Sequence, residues 1–214
     1  MKICYIDVET TGLDAVKNDI IQLAGIVEID GEVKSTFEFE CQPYSFENLE
    51  PKAMEVNGYT RQDLEKFENP LKVKAQLECL FSKHVDKFDK TDKFTFAGYN
   101  SPFDFRFCKE WWKKGGDKFW GSYFEYKQMD IYPLFQMYAM AAKLDLPNHK
   151  LVTAAAHFGL DFGEEGAHDA MADIRVTREV GIKVQEIFEI GIRVSKLNDD
   201  NRSAMYDFLD RVEV

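Results

Sequence analysis

The sequence lacks an excess of basic residues, because 27 Lys and Arg stand against 38 Asp and Glu and the formal net charge is −11. A protein that wraps long duplex nucleic acid normally presents a basic face to the phosphates. The charge therefore argues against binding of duplexes by bulk electrostatics. It leaves room for a small site that holds one end of a chain through metal ions.

Paired cysteines and long apolar runs are also missing. Cys4, Cys41, Cys79 and Cys108 are widely spaced, with no CxxC pair and no Cys/His cluster, which favours reduced core thiols over zinc ligands or disulfides. The N-terminus reaches Asp7 too early for a secretion signal, and no apolar run approaches the length of a membrane span. We therefore expect a soluble, cytoplasmic protein with no membrane partner.

No internal repeat, low-complexity linker or second domain is visible in the 214 residues. A chain of this length suits one domain, and the 45% hydrophobic and 14% aromatic fractions are sufficient for a sizeable core. We assign residues 1–190 to this domain and residues 191–214 to a C-terminal helical extension of it.

Hydrophobic periodicity and turn residues predict an α/β sheet with a mixed strand order. The predicted strands span residues 2–8, 19–29, 32–40, 94–100 and 125–130. The predicted helices begin at Pro70, cover residues 103–114, 132–143 and 149–159, and begin again after Asp169, with a last one around residues 205–212. Asp30-Gly31 joins the second and third strands as a hairpin turn.

Two regions have a predicted core assignment. The helix that begins at Pro70 is expected to have an apolar side formed by Leu71, Leu77, Leu80, Phe81, Val85 and Phe88. The aromatic stretch from Phe94 to Tyr126 could be a stacking platform for single-stranded bases. Aromatic residues at helical spacing are usually core, so we assign the stretch to the core, with Trp111 or Trp112 as the exceptions.

The first strand runs directly into two carboxylates in the stretch IDVETTG. Residues i and i+2 of a strand point to one face, about 7 Å apart. Asp7 and Glu9 therefore project together from the carboxyl end of the strand, where open α/β sheets usually place ligands. A metal ion, basic side chains or solvent could compensate their repulsion. Such a pair alone is weak evidence for a functional site, because surface strands often carry one.

Two further motifs add acidic residues and a histidine. NSPFDF places Asp104 in the first turn of a helix, which is also where an acid complements the helix dipole. In GAHDAMAD, His168 and Asp173 are about 140° apart on an ideal helix. We therefore place His168 on a loop and Asp173 on the helix capped by Asp169. Such a histidine suits proton transfer, and a surface-loop histidine is the alternative.

Taken in order, DVETTGLD, NSPFD and HDAMAD closely resemble the three exonuclease motifs of the DnaQ-like (DEDDh) family of 3′–5′ exonucleases. The resemblance extends over residues 1–184 and includes the stretches DIIQLAGI and VNGYT. It implies the RNase H-like fold, which is a five-stranded mixed sheet with an antiparallel second strand, flanked by helices.

The same resemblance implies a set of site residues. Asp7, Glu9, Asp104 and Asp173 would hold two divalent ions, Mg²⁺ or Mn²⁺, with Asp7 bridging both, and His168 would take the proton of the attacking water. Hard carboxylate oxygens suit these ions independently of the resemblance. The substrate residues it implies are Thr10, Thr11 and Gly12, which would contact the terminal nucleotide, Leu13, which would wedge against its base, and Asn100 and Phe103, which would line the second motif's side of the pocket. As alternatives, the threonines could be turn formers, and Leu13 and Phe103 core residues.

The function implied is a metal-dependent 3′–5′ exonuclease that hydrolyses single-stranded DNA or RNA 3′ ends to nucleoside 5′-monophosphates, with two metals and a histidine general base. One alternative is a proofreading subunit bound to a DNA polymerase. Another is a non-catalytic nucleic-acid-binding module on the same fold. A homodimer is also compatible with the family. The sequence leaves the choice between DNA and RNA open, because one fold hosts many activities.

Overall fold

The computed structural model describes residues 1–163 and 169–195. Five strands form one sheet: β1 (Lys2–Thr10), β2 (Ile20–Ile29), β3 (Glu32–Glu40), β4 (Phe94–Gly98) and β5 (Phe124–Asp130). Their order across the sheet is β3-β2-β1-β4-β5. β2 is antiparallel to β1 and to β3, whereas β1, β4 and β5 are parallel. The mixed sheet with an antiparallel second strand is therefore confirmed.

Helices cover both faces of the sheet. They are α1 (Pro51–Asn57), α2 (Arg61–Leu64), α3 (Pro70–Phe81), α4 (Ser101–Lys114), α5 (Ile131–Ala141), α6 (Leu151–His157) and α7 (Ala170–Ser195). Within the described ranges, none of these helices has the length and apolar character needed to cross a membrane.

The alternation of β1 divides the core between the two faces. Ile6 packs on one face in a cluster with Phe81 of α3 and Trp112 of α4, all of them buried. Tyr5 points to the opposite face and packs in a cluster with Ile174 of α7. Since successive side chains of a strand alternate between faces, α7 covers the face to which the odd-numbered residues of β1 point.

The predicted apolar side of α3 is partly wrong. Val73, Leu77 and Phe81 form a buried stripe at i, i+4 and i+8, but α3 ends at Phe81. Leu71 is 54% exposed because it lies about 200° around the helix from Val73. Phe88 is 86% exposed because it follows the end of the helix and the stripe does not extend to it.

The core assignment of the aromatic stretch is confirmed for most of it, but the exceptions were wrongly chosen. Phe96, Trp111 and Trp112 are buried in the sheet's larger cluster. The exposed rings are instead Phe119 and Tyr126, which lie outside α4 and follow no helical periodicity.

The cysteines are all free, as expected. Three are buried, whereas Cys79 on α3 is exposed and is not a core thiol.

Two predicted segments lie outside the described residues. One is residues 164–168, which include His168, and the other is residues 196–214, which include the helix predicted around residues 205–212. α7 itself continues to Ser195. The assignment of residues 191–214 to an extension therefore stays a prediction.

A buried ion pair ties α4 to the turn that follows β1. Lys114 Nζ donates to Asp19 Oδ1 at 2.7 Å, and the side chain of Asp19 is only 1% exposed. The other oxygen of this carboxylate accepts from Ser45 N at 3.0 Å. The backbone N–H of Asp19 donates to Thr11 Oγ1, and that of Thr11 donates to the Asp19 carbonyl, both at 2.9 Å. The end of β1 is thereby fixed to the carboxyl end of α4.

We expect Lys114→Met to lower the free energy of unfolding by about 2–3 kcal/mol, because it leaves the Asp19 carboxylate buried without its cation. Lys113→Met is the matched control, since Lys113 is 59% exposed and pairs with Glu110, its one ion-pair partner among the described residues. The control should change stability by no more than about 0.5 kcal/mol. Urea denaturation of both variants measures the difference, and equal midpoints would contradict a stabilising role for the buried pair.

Candidate active site

The carboxyl end of β1 presents two carboxylates on one face of the sheet. Asp7 and Glu9 are both half-buried, and their neighbours across the antiparallel ladder are Ala24 and Gln22. They lie on the face covered by α7, because they have the same parity in β1 as Tyr5. The prediction that they project together from the end of the first strand is confirmed.

A third carboxylate reaches β1 from α4. Asp104 lies in the first turn of α4 and is 4% exposed. Its Oδ1 accepts a hydrogen bond from Val8 N at 3.2 Å. Since Val8 lies between Asp7 and Glu9 in the chain, this bond brings the α4 carboxylate to the segment that carries the other two.

The fourth predicted carboxylate lies on α7, whose start is fixed to β2. Asp169 caps the helix, as predicted, and its Oδ1 accepts from Ala172 N at 2.9 Å. Gln22 Nε2 donates to Asp169 Oδ2 at 3.3 Å. Gln22 is also the cross-strand neighbour of Glu9. The first turn of α7, with the half-buried Asp173, is therefore held beside Glu9.

Gln22 was not predicted as a site residue. It is 4% exposed, and its Oε1 accepts from Ala170 N at 3.5 Å as well. The one sequence signal that could have found it is a polar residue inside the apolar run of β2, since buried polar side chains are normally hydrogen-bonded.

The four carboxylates interact strongly through space. Burial, followed by the charges of Asp104, Asp173, Glu9 and Asp169, holds the pKa of Asp7 well above its ordinary value. Burial, followed by Asp173 and Asp169, raises the pKa of Glu9 to about 8. Like charges that lie close together favour the protonated form in this way. The separate sequence motifs therefore converge on one electrostatic site.

The pKa of Asp104 is also well above its usual range. Burial is the main cause, the nearby charges of Glu9 and Asp130 add to it, and the hydrogen bond from Val8 N partly offsets it. Among the described residues, the main causes that raise the pKa of Asp7, Glu9 and Asp104 are burial and other acids. These three acids are thus partly or fully buried and form no ion pair with a lysine or arginine of the described residues.

The donor chemistry of these acids fits divalent ions such as Mg²⁺ or Mn²⁺, because both prefer carboxylate oxygens. Within residues 1–163 and 169–195, no group of three or more His, Cys, Asp or Glu side chains is arranged to hold a metal ion. The fit therefore rests on the uncompensated charge and oxygen chemistry of the acids, and their role as metal ligands stays a prediction.

The turn after β1 contains four of the predicted substrate residues, with different exposures. Thr10 Oγ1 donates to Gly12 O at 2.7 Å, and Thr11 is fully buried, with its hydroxyl bound to the backbone of Asp19. A Cβ at Gly12 would lie 2.4 Å from the Asn18 side chain, so this position needs glycine for close packing. Leu13 is 72% exposed. Both threonine hydroxyls thus have bonding partners within the protein.

The other two predicted substrate residues lie at the start of α4, beside Asp104. Asn100 is exposed in the left-handed backbone region with φ 67°, and its N–H donates to Asp130 Oδ1 at 2.8 Å. Phe103 is half-buried, with its ring 4.8 Å from that of Phe107. The part of these six residues in substrate binding stays a prediction.

A cavity of about 260 Å³ opens beside Glu9. Its lining includes Gly12, Leu13 and Phe103, together with residues of α1 that the sequence did not single out. Pockets of roughly this size or larger commonly hold small ligands. With Thr10, which also lines it, the cavity joins four of the predicted substrate residues to one of the predicted metal ligands.

Comparison with known proteins identifies relatives of the chain. The model of the RNase_T family, described as exonuclease, matches residues 4–180. Ribonuclease T of Shewanella frigidimarina is 25% identical over 191 residues, which cover 82% of this chain and 78% of that protein. The PolC-type DNA polymerase III of Thermotoga petrophila is 24% identical over 195 residues, which cover 91% of this chain but only 12% of the polymerase.

Solved structures show the same fold. Exonuclease I of E. coli in complex with a dT13 oligonucleotide superposes with a TM-score of 0.66 at 22% identity, covering 86% of this chain and 40% of that one. Exonuclease I of Methylocaldum szegediense superposes with a TM-score of 0.67 at 19% identity, covering 86% of this chain and 39% of that one. Exonuclease I has the RNase H-like fold, so the predicted fold is confirmed.

We expect Asp7→Asn to raise the melting temperature of the EDTA-treated protein at pH 8. Burial, followed by repulsion among the acids, lifts their folded-state pKa, so the folded chain binds more protons than the unfolded chain, and stability falls as pH rises from about 4.5 towards 8. Each 1 kcal/mol regained corresponds to about 2–4 °C in a chain of this size.

The gain should shrink as the pH is lowered, because the acids are then protonated and repel one another less. Asp145→Asn is the control, since Asp145 is exposed and distant in sequence from all three motifs. Thermal melts of both variants at several pH values make the comparison. A melting temperature of Asp7→Asn that is unchanged or lower at pH 8 would contradict the repulsion.

Proposed function

The chain belongs to the RNase_T exonuclease family, and from this premise we propose that it is a metal-dependent 3′–5′ exonuclease. Its proposed substrates are single-stranded DNA or RNA 3′ ends, and its products nucleoside 5′-monophosphates. The observation that carries the proposal is the convergence of Asp7, Glu9 and Asp104 with α7, where no lysine or arginine of the described residues pairs with these acids. A module that only binds nucleic acid has no use for buried acids that repel phosphate.

The relatives support the substrate class. Exonuclease I, which shares the fold, has been solved with single-stranded dT13 and as a zinc-bound complex with single-stranded DNA. The name of another relative, Ribonuclease T, points to RNA. The chain spans about 40% of Exonuclease I and 12% of the PolC-type polymerases, so their substrates enter here only as part of the proposal.

In the proposed mechanism Asp7, Glu9, Asp104 and Asp173 hold two divalent ions. When bound, such ions polarise the scissile phosphate and make water a better nucleophile. Asp104 is kept in place by Val8 N, and α7 is held beside Glu9 through Gln22 and Asp169. The carboxylates thus come from three elements that are joined by hydrogen bonds. Such preorganisation lowers the cost of assembling the site around substrate.

His168 is the proposed general base, and it would accept the proton of the attacking water. Its assignment rests on the motif alone, because residue 168 lies outside the described residues. Leu13, Asn100 and Phe103 are the proposed contacts of the terminal nucleotide. Leu13 and Phe103 line the cavity beside Glu9, which supports this assignment.

A second candidate function is proofreading in association with a DNA polymerase. The match to the PolC-type polymerases, which covers 91% of this chain, favours it. The two functions share the same chemistry and differ only in the partner. Retention of a purified polymerase chain on the immobilised protein would support proofreading, and its absence together with nuclease activity would support an independent exonuclease.

The direct test is incubation with 5′-labelled single-stranded DNA and RNA oligonucleotides and Mg²⁺ or Mn²⁺. We expect a ladder that shortens from the 3′ end. EDTA and Asp7→Ala should each reduce the rate by at least about 10³-fold, because the site then loses its cations. Asp145→Ala is the control and should keep the wild-type rate. Binding without shortening would instead identify a non-catalytic module.

We expect His168→Ala to lower kcat by roughly 10²-fold or more, because general base catalysis contributes about this much. The carboxylates are unchanged, so stabilisation of the variant by Mn²⁺ should stay close to that of the wild type. Single-turnover kinetics measure the first effect, and thermal melts with and without Mn²⁺ measure the second. Wild-type turnover in this variant would remove His168 from the mechanism.

A further inference from the structure

The cavity beside Glu9 has one wall that the predicted substrate residues do not explain. This wall is supplied by α1, from which Lys52 and Val56 line the cavity together with Leu13 and Phe103. α1 lies between β3 and β4 in sequence, far from all three motifs. Its residues therefore reach the site only through folding.

α1 is attached at both ends to the turn that follows β1. Asn57 Nδ2 donates to Thr10 O at 2.8 Å, and Glu50 N donates to Thr11 O at 2.8 Å. Thr10 follows Glu9 directly in the chain. These two bonds fix the backbone around Lys52 relative to the carboxylates, so that Lys52 belongs to the site and is not an arbitrary surface lysine.

Lys52 carries the only positive charge among the described residues that line the cavity, where the other charged residues are Glu9 and Glu50. Lys52 is exposed to solvent. No ion pair within the described residues involves Lys52; the same holds for Lys90 on a remote surface, so it is the place of Lys52 in the cavity lining that distinguishes it. Its ammonium group is therefore available for an anionic ligand.

We propose that Lys52 binds the non-scissile phosphate next to the bond being cleaved, and so selects polynucleotides over mononucleotide esters. The inference rests on the function proposed above. The scissile phosphate would meet the carboxylate side of the cavity, where Glu9 lies, so the lysine on the α1 wall is left for a neighbouring phosphate. An ammonium group binds phosphate as a point charge, and in a chain of net charge −11 one such contact matters for the approach of substrate.

The test compares Lys52→Gln with Lys90→Gln, which removes an equal charge from a remote surface. Lys90 is exposed and lies in the same loop as Asp92, which pairs with Lys2 at the start of β1. Lys2 is separated from Glu9 by roughly 23 Å of strand. Lys52→Arg keeps the charge and is the rescue variant.

Steady-state cleavage of a single-stranded oligonucleotide is measured first. We expect Lys52→Gln to raise KM about 5–10-fold with kcat changed less than about 2-fold, because a phosphate contact that positions the strand acts mainly on binding. Lys90→Gln and Lys52→Arg should stay close to the wild-type KM. A Lys52→Gln variant with the KM of Lys90→Gln would overturn the proposal.

Binding is measured separately, by fluorescence anisotropy in the Asp7→Ala background, so that it does not depend on cleavage. Lys52→Gln should reduce the slope of log K against log salt by about 0.7, the value for one contact to a single strand. A methylphosphonate at the penultimate linkage removes the charge of one phosphate. It should weaken binding when Lys52 is present and have no further effect in Lys52→Gln.

The two measurements separate failure of this inference from failure of the proposed function. An unchanged salt slope, or a methylphosphonate effect that persists in Lys52→Gln, overturns the role of Lys52 even if the protein cleaves normally. Absence of cleavage by the wild-type protein, with binding that still depends on Lys52 and on that phosphate, overturns the exonuclease and leaves the phosphate contact supported.

Discussion

The structure depends on holding several carboxylates together where little solvent reaches them. The hydrogen bond from Val8 N to Asp104 Oδ1 adds a third acid to a strand that already presents Asp7 and Glu9. The raised pKa of Asp7, caused by burial and by its acidic neighbours, is the electrostatic consequence. A charge cluster of this kind weakens the fold unless a cation or protons offset it. Natural proteins tolerate such local strain where a function requires it, so the cluster is best understood as a site that is completed by ligands.

The rest of the fold supplies the rigidity that this cluster needs. The aromatic core between the sheet and α4 buries Trp112 and Phe81 almost completely, which fixes α4 and hence Asp104. On the opposite face, Gln22 holds the start of α7 beside Glu9. The four carboxylates are therefore carried by three elements, β1, α4 and α7, each with its own packing. Repulsion among the acids can then be resisted by the core, because moving one acid away requires moving a helix or a strand.

The sequence predicted those features that depend on local patterns. The alternation of β1, the hairpin at Asp30-Gly31 and the cap at Asp169 are all present, since each follows from the conformational preferences of a few adjacent residues. The wrong predictions concern which side chains of an element are buried against other elements. Phe88 and Cys79 are exposed, whereas both tryptophans of α4 are buried. Gln22 and α1 entered the site only through tertiary contacts, which no local periodicity encodes.

The contrast between the whole chain and the cavity bears on how substrate is recognised. A chain of net charge −11 repels polyanions at long range, so extended contact with a duplex backbone is disfavoured. At the site the proposed metal ligands are acids, and α1 adds one lysine to the wall of the cavity. If cations are bound there as proposed, attraction of phosphate is confined to the neighbourhood of the end of β1, within the screening length of about 8–10 Å at moderate salt. Such short-range attraction favours a strand end that can enter the cavity over a long backbone lying across the surface. On this argument the acidic composition and the proposed activity on chain ends are two consequences of the same charge distribution.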